Sequence, residues 1–141
     1  MVDAIWDAFA EQGVSWVGFY LFDESQPAET PLVLGPRRDS PACSPIGLHG
    51  VCGQAFAGRM IRIVDDVALL GADYIACDPR DISEIVLPAC DGDRVWGVLD
   101  LDSRSASTFD ETDARALTEL LFYAGLSSAR DLPVSRTHVP D

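Results

Sequence analysis

Lysine is absent: all ten basic residues of this 141-residue chain are arginine, set against 23 aspartates and glutamates, for a formal net charge of −13. A field of that sign repels phosphate backbones and anionic headgroups, which argues against a nucleic acid or a membrane surface as partner. Long apolar runs are missing too, since none approaches the about 18 to 20 residues that a membrane span needs. The opening Met1-Val2-Asp3-Ala4-Ile5-Trp6-Asp7 has neither the basic stretch nor the apolar run of a signal peptide. Histidine is confined to His49 and His138, and no C-x-x-C occurs, so the usual zinc spacings are lacking and no metal site is expected. Together these absences predict a soluble, cytoplasmic protein.

What is present is enough for one core. With 48% apolar residues, a chain of this length folds as a single domain that buries roughly two-thirds of its unfolded surface. Val2, Ile5, Trp6 and Phe9 recur at helical spacing, with Asp3 as the expected cap and Gly13 as the stop. Ser15 to Phe22, Pro31 to Leu34, Met60 to Val64, Glu84 to Cys90 and Arg94 to Asp102 read as strands, and Asp91-Gly92-Asp93 joins the last two as a hairpin. Val51 to Gly58 reads as a short helix. Asp110-Glu111-Thr112-Asp113 has the form of a capping box for a closing helix whose buried face is Ala114, Leu117, Leu120, Leu121 and Ala124. The expected class is α+β: a central antiparallel sheet of about five to six strands flanked by helices. Residues 1–130 form the domain, and the polar, proline-bearing segment 131–141 is expected to be a disordered tail.

Two connections, around residues 35–50 and 65–80, exceed a dozen residues, and long loops in compact domains usually carry function. Three of the four cysteines lie in or beside them: Cys43, Cys52 and Cys77. A loop thiol is accessible as thiolate, and the N-terminal end of a helix at Cys52 favours that form. Cys90, inside an apolar strand, reads as a small hydrophobe. Asp100 and Asp102 share one strand face with Trp96 and Val98, their carboxylates roughly 6 to 7 Å apart, while Leu99 and Leu101 take the other. Glu84 opens the adjacent strand and brings a third carboxylate. Three converging acids suit an amino group, and one held protonated can donate to a leaving oxygen. Trp16 and Tyr20 share one strand face, either as ordinary core packing or as an aromatic wall with room over Gly18 for a small apolar group. His49 is read as a loop residue without a role.

Trp16-Val17-Gly18-Phe19-Tyr20, Val33-Leu34-Gly35-Pro36, Ala42-Cys43, Gly50-Val51-Cys52-Gly53, Ile75-Ala76-Cys77-Asp78, Ser83-Glu84-Ile85-Val86-Leu87-Pro88 and Gly97-Val98-Leu99-Asp100-Leu101-Asp102-Ser103 follow one another in that order. The set, from Trp16 to about Phe122, resembles the free methionine-(R)-sulfoxide reductases, which are single GAF domains. The resemblance implies a GAF-like fold and reduction of free methionine (R)-sulfoxide without metal or organic cofactor. By position, Cys77 matches the attacking cysteine, Cys43 the resolving one and Cys52 an auxiliary resolving thiol. Glu84, Asp100 and Asp102 match the substrate-binding carboxylates, and Trp16 and Tyr20 the wall around the substrate methyl. It further implies recycling by thioredoxin and leaves room for a homodimer. The chain departs from the family in a stretch between Cys43 and Cys52 that is one residue shorter, in less helical sequence before the first strand, and in Cys90, which has no counterpart. Two other readings fit the same residues: a non-catalytic GAF domain that senses a small molecule, and a thiol-based redox sensor.

Overall fold

The computed structural model describes residues 1–38, 42–74 and 77–138. Pro41, Ile75, Ala76 and the last three residues of the tail lie outside the described residues. In chain order the elements are α1 (Val2–Phe9), β1 (Val14–Phe22), β2 (Leu32–Arg37), α2 (Val51–Gly58), β3 (Ile61–Val64), β4 (Ser83–Asp91), β5 (Arg94–Ser103), α3 (Glu111–Tyr123) and β6 (Val134–Thr137). The strands make one sheet in the order β2-β1-β5-β4-β3-β6. Neighbours from β2 to β3 run antiparallel, joined at the centre by the predicted β4–β5 hairpin, in whose turn Gly92 supplies a φ of 61°.

Strand alternation sorts the side chains into two layers. Val17, Phe19, Leu99 and Leu101 point to one face, where α1 and α3 cover them with Ile5, Leu117 and Leu121. Trp16, Tyr20, Val86 and Val98 point to the other, beneath α2 and the two long connections. Gly53 lets α2 lie close to its neighbours, because a Cβ there would run into the backbone of Leu48. Asp110 and Asp113 form the reciprocal capping box at the start of α3.

Four expectations change. Met1, not Asp3, caps α1; Asp3 sits in the first turn and pairs with Arg38 at 3.0 Å. On α3 the buried stripe is Ala114, Leu117, Thr118 and Leu121, while Leu120 and Ala124 face solvent. Leu120 is one position off the i, i+3, i+4, i+7 stripe, and Thr118 enters it by donating its hydroxyl to the Ala114 carbonyl at 2.7 Å. Trp96 leaves the Val98–Asp100–Asp102 face. A bulge between Ala89 and Cys90 puts Trp96 opposite no partner, reverses the alternation and stacks its ring on Phe19 at 6.1 Å.

The largest change is at the C-terminus. Residues 134–137, expected to be disordered, add β6 to β3 in parallel, so the sheet is mixed rather than wholly antiparallel. The reason is buried arginine. Arg62 on β3 donates to the Ser135 carbonyl and hydroxyl and to the Thr137 hydroxyl at 2.9–3.1 Å. From the tail, Arg136 returns to Asp65 at 3.0 Å and Glu111 at 2.8 Å. Composition does not reveal that a polar segment has polar partners waiting for it.

Candidate active site

The chemistry gathers on the α2 face. A cavity of about 40 Å³ lies between the sheet and the long connections, lined among others by Trp16, Tyr20, Cys52, Cys77, Glu84, Asp100 and Asp102. These residues come from β1, α2, β4, β5 and the connection before β4, so they meet only through the fold. Register accounts for the acids: Glu84 pairs with Asp102 across β4 and β5, and Val86 pairs with Asp100. Trp16 and Gly18 on β1 lie beside Asp102 and Asp100 on the opposite side of β5.

Cys77 is joined to Cys43 by a disulfide whose Cα atoms stand 5.4 Å apart, within the ordinary span for such a bond. It ties the two long connections together at the cavity. Tyr20 fixes the same point, donating its hydroxyl to the Cys43 carbonyl at 2.9 Å. Burial, reinforced by the acidic cluster around Asp100, keeps that phenol protonated and a donor.

Cys52, at the second position of α2, is free and 6% exposed. Its thiol donates to Asp100 Oδ2 at 3.5 Å. The helix terminus does not make it a thiolate as the sequence suggested. Burial and the adjacent Asp100, Glu84 and Asp102 push its pKa well up, because none of them tolerates another negative charge. Cys90 is also free and buried, at the far end of β4 from Glu84.

The acids share the same constraint. Burial raises Asp100 well above the carboxylate range, with Asp102 and Glu84 adding repulsion. Burial likewise raises Asp102, followed by repulsion from Glu84, Asp81 and Asp78. Glu84 is pushed up to about 7 by burial, despite a hydrogen bond with Asp100 that favours its ionised form. Like charges this close are not all ionised together, so the cluster holds at least one carboxylic acid near neutrality. Asp100 Oδ1 and Trp16 Nε1, both buried, have no hydrogen-bond partner among the described residues.

The aromatic wall is present, but the space expected over Gly18 is filled. A Cβ at Gly18 would collide with the Trp16 indole, which lies across the glycine. Gly18 therefore allows Trp16 to fold flat against the sheet, and the ring centroid stands 6.2 Å from that of Tyr20.

Tyr74, Asp78 and Asp81 also line the cavity and were not singled out from the sequence. Asp78, next to Cys77, is held low by hydrogen bonds from Arg80, with Arg104 3.8 Å away. Asp81 accepts from the Ser15 hydroxyl at 3.1 Å, while the same hydroxyl reaches the Asp102 carbonyl. The regular three-residue spacing of Asp78, Asp81 and Glu84 was the available signal. By contrast, His49 lines no part of the cavity.

The comparisons agree with this geometry. The GAF-domain family matches residues 1–127. Free methionine-R-sulfoxide reductase of Escherichia coli is 38% identical over 110 residues, 77% of this chain and 62% of its own length. Protein YtsP of Bacillus subtilis is 43% identical over 108 residues, 75% of this chain and 63% of its own length. The chain therefore spans somewhat less than two-thirds of these curated relatives. The X-ray structure of free methionine-R-sulfoxide reductase from Neisseria meningitidis in complex with its substrate superposes with a TM-score of 0.75 at 42% identity, over 84% of this chain and 68% of that one. The chain is a GAF domain, and it belongs to the free methionine-(R)-sulfoxide reductase family.

Proposed function

We propose that this protein reduces free methionine (R)-sulfoxide to methionine by a thiolate, sulfenic acid and disulfide cycle. The observation that carries the reading is the Cys43–Cys77 disulfide set over a cavity floored by Glu84, Asp100 and Asp102. A redox-active pair and a reservoir of carboxylic protons in one place are what sulfoxide reduction needs.

In the reduced form the Cys77 thiolate attacks the sulfoxide sulfur while a protonated carboxyl of the cluster gives its proton to the oxygen. The S–O bond breaks as the protonated oxygen passes to the Cys77 sulfur, the new S–S bond breaks with its electron pair leaving on the methionine sulfur, and Cys77 is left as a sulfenic acid. Cys43 displaces the hydroxyl as water and forms the disulfide, which thioredoxin reduces by thiol exchange. Trp16 and Tyr20 wall the methyl side. A cluster that shares protons among its carboxyls keeps some negative charge for the substrate ammonium, which a methionine inside a protein chain lacks. Cys52 stands by as an auxiliary thiol, and a reducing compartment such as the cytoplasm suits the cycle.

The test is methionine formation from free methionine (R)-sulfoxide with thioredoxin, thioredoxin reductase and NADPH, with Cys77→Ser beside the wild type. Turnover that disappears in a folded Cys77→Ser variant is expected. A folded wild type without turnover would overturn the reading and leave a ligand-sensing GAF domain.

A further inference from the structure

Cys52, Glu84 and Asp100 offer a sulfur and two carboxylate oxygens that all lie within 4.8 Å of one another, buried, from α2, β4 and β5. We propose that these three residues form a binding site for a thiophilic divalent cation such as Zn²⁺.

The distances suit the ion. Zinc bonds of about 2.3 Å to sulfur and about 2.0–2.2 Å to carboxylate oxygen, at a tetrahedral angle, separate the two ligand atoms by about 3.6 Å. Cys52 Sγ and Asp100 Oδ2 stand 3.5 Å apart, with the thiol proton where the metal would sit. Coordination breaks the Cys52 S–H bond and the O–H bond of whichever of Glu84 and Asp100 carries a proton, releases those protons to solvent, and forms the Zn–S and Zn–O bonds without change of oxidation state. Two further atoms in the cavity ask for a ligand. Asp100 Oδ1, in a residue only 5% exposed, has no partner among the described residues, and neither does Trp16 Nε1, whose residue is 3% exposed. A third protein ligand and an open fourth position for water, whose oxygen Trp16 can bond, complete the set found at accessible zinc sites.

The thiolate selects the ion. Magnesium and calcium take oxygen ligands and gain nothing from Cys52, whereas zinc and cobalt bind thiolate sulfur and accept carboxylate oxygen beside it. Sequence spacing gives no sign of the site, because its ligands are 32 and 16 residues apart and meet only across α2, β4 and β5. On the reductase reading, an occupied site withholds Glu84 and Asp100 from the sulfoxide. Zinc is then a reversible inhibitor.

The oxidised protein gives the cleanest test, since Cys43 and Cys77 are tied to each other and only Cys52 and Cys90 remain as thiols. Its success or failure is independent of turnover. Co²⁺ is titrated into the oxidised full chain and the thiolate-to-cobalt charge-transfer band is followed, then Zn²⁺ is used to displace it. One equivalent of Co²⁺ should raise the band, and Zn²⁺ should abolish it while millimolar Mg²⁺ does not. Cys52→Ser should remove the band, and Asp100→Asn should weaken Zn²⁺ binding roughly tenfold or more. Circular dichroism checks that both variants fold, and Cys90→Ser serves as the control that keeps the band. No band in the wild type, a band that survives Cys52→Ser, or displacement by Mg²⁺ as readily as by Zn²⁺ would each overturn the proposal.

Discussion

Strand β5 has two faces one residue apart. Leu99 and Leu101 are fully buried among aliphatic side chains from α1 and α3. Asp100 and Asp102, their immediate neighbours, turn the other way into a cavity with Glu84, Cys52 and the aromatic residues Trp16, Tyr20 and Tyr74. On the first face the strand obeys the rule that burial removes apolar surface from water. On the second the same backbone carries acids into a region that raises their pKa values, a loss of stability that a purely structural layer would not retain. The apolar face holds the strand still, and so the opposite face can keep carboxyls that do not want to be there.

The contrast can be broken from either side. Leu101→Ala removes a fully buried side chain and should lower stability by about 2–5 kcal/mol in urea unfolding. If the cost is below 1 kcal/mol, the aliphatic layer is not what fixes β5. Glu84→Gln should act through pH instead. Burial keeps a proton on Glu84 up to about pH 7, against an ordinary 4.5, so the folded state binds that proton more tightly than the unfolded chain. The stabilisation is complete below 4.5 and is lost as pH rises through about 7. Thermal unfolding followed from pH 4 to 8 should therefore show a decline in the wild type that Glu84→Gln reduces by about 3 kcal/mol. Equal slopes would mean that Glu84 ionises freely in the fold. The smallest effect belongs to the tail: Arg136→Ala takes the arginine from the buried Asp65 and should lower global stability by about 1–2 kcal/mol. It should also speed hydrogen exchange at the Asp65 amide, which donates to the Thr137 carbonyl at 2.9 Å. Unchanged exchange there would show that Arg62 alone holds β6.

Much of the frame was legible in the sequence because it rests on local rules. Periodicity placed α1, the Asp-Gly turn placed the β4–β5 hairpin, and the capping box located the start of α3. Alternation put Asp100 and Asp102 on one face, and the motif set brought Cys43, Cys77, Glu84 and the two aromatics into view together. The failures were non-local. The bulge at Cys90 turned Trp96 around, and no count along the strand could place it. The state of Cys52 depended on its burial and on three acids from other elements, which together outweigh the helix terminus that its own neighbours provide. Tail order depended on Arg62, more than 70 residues earlier.

The parallel pairing of β6 with β3 has a consequence for how copies of this protein meet in solution. At the other end of the sheet, β2 finishes in Pro36, Arg37 and then Arg38, a proline and two charges that discourage a further strand from adding. β3 has no proline, its one charge, Arg62, is taken up by β6, and Ile61-Arg62-Ile63-Val64 is buried at every position. β6 is its cover. A nick before Val134 would bare a row of unpaired amides and carbonyls beside three β-branched side chains, turning a capped sheet into a template for self-association.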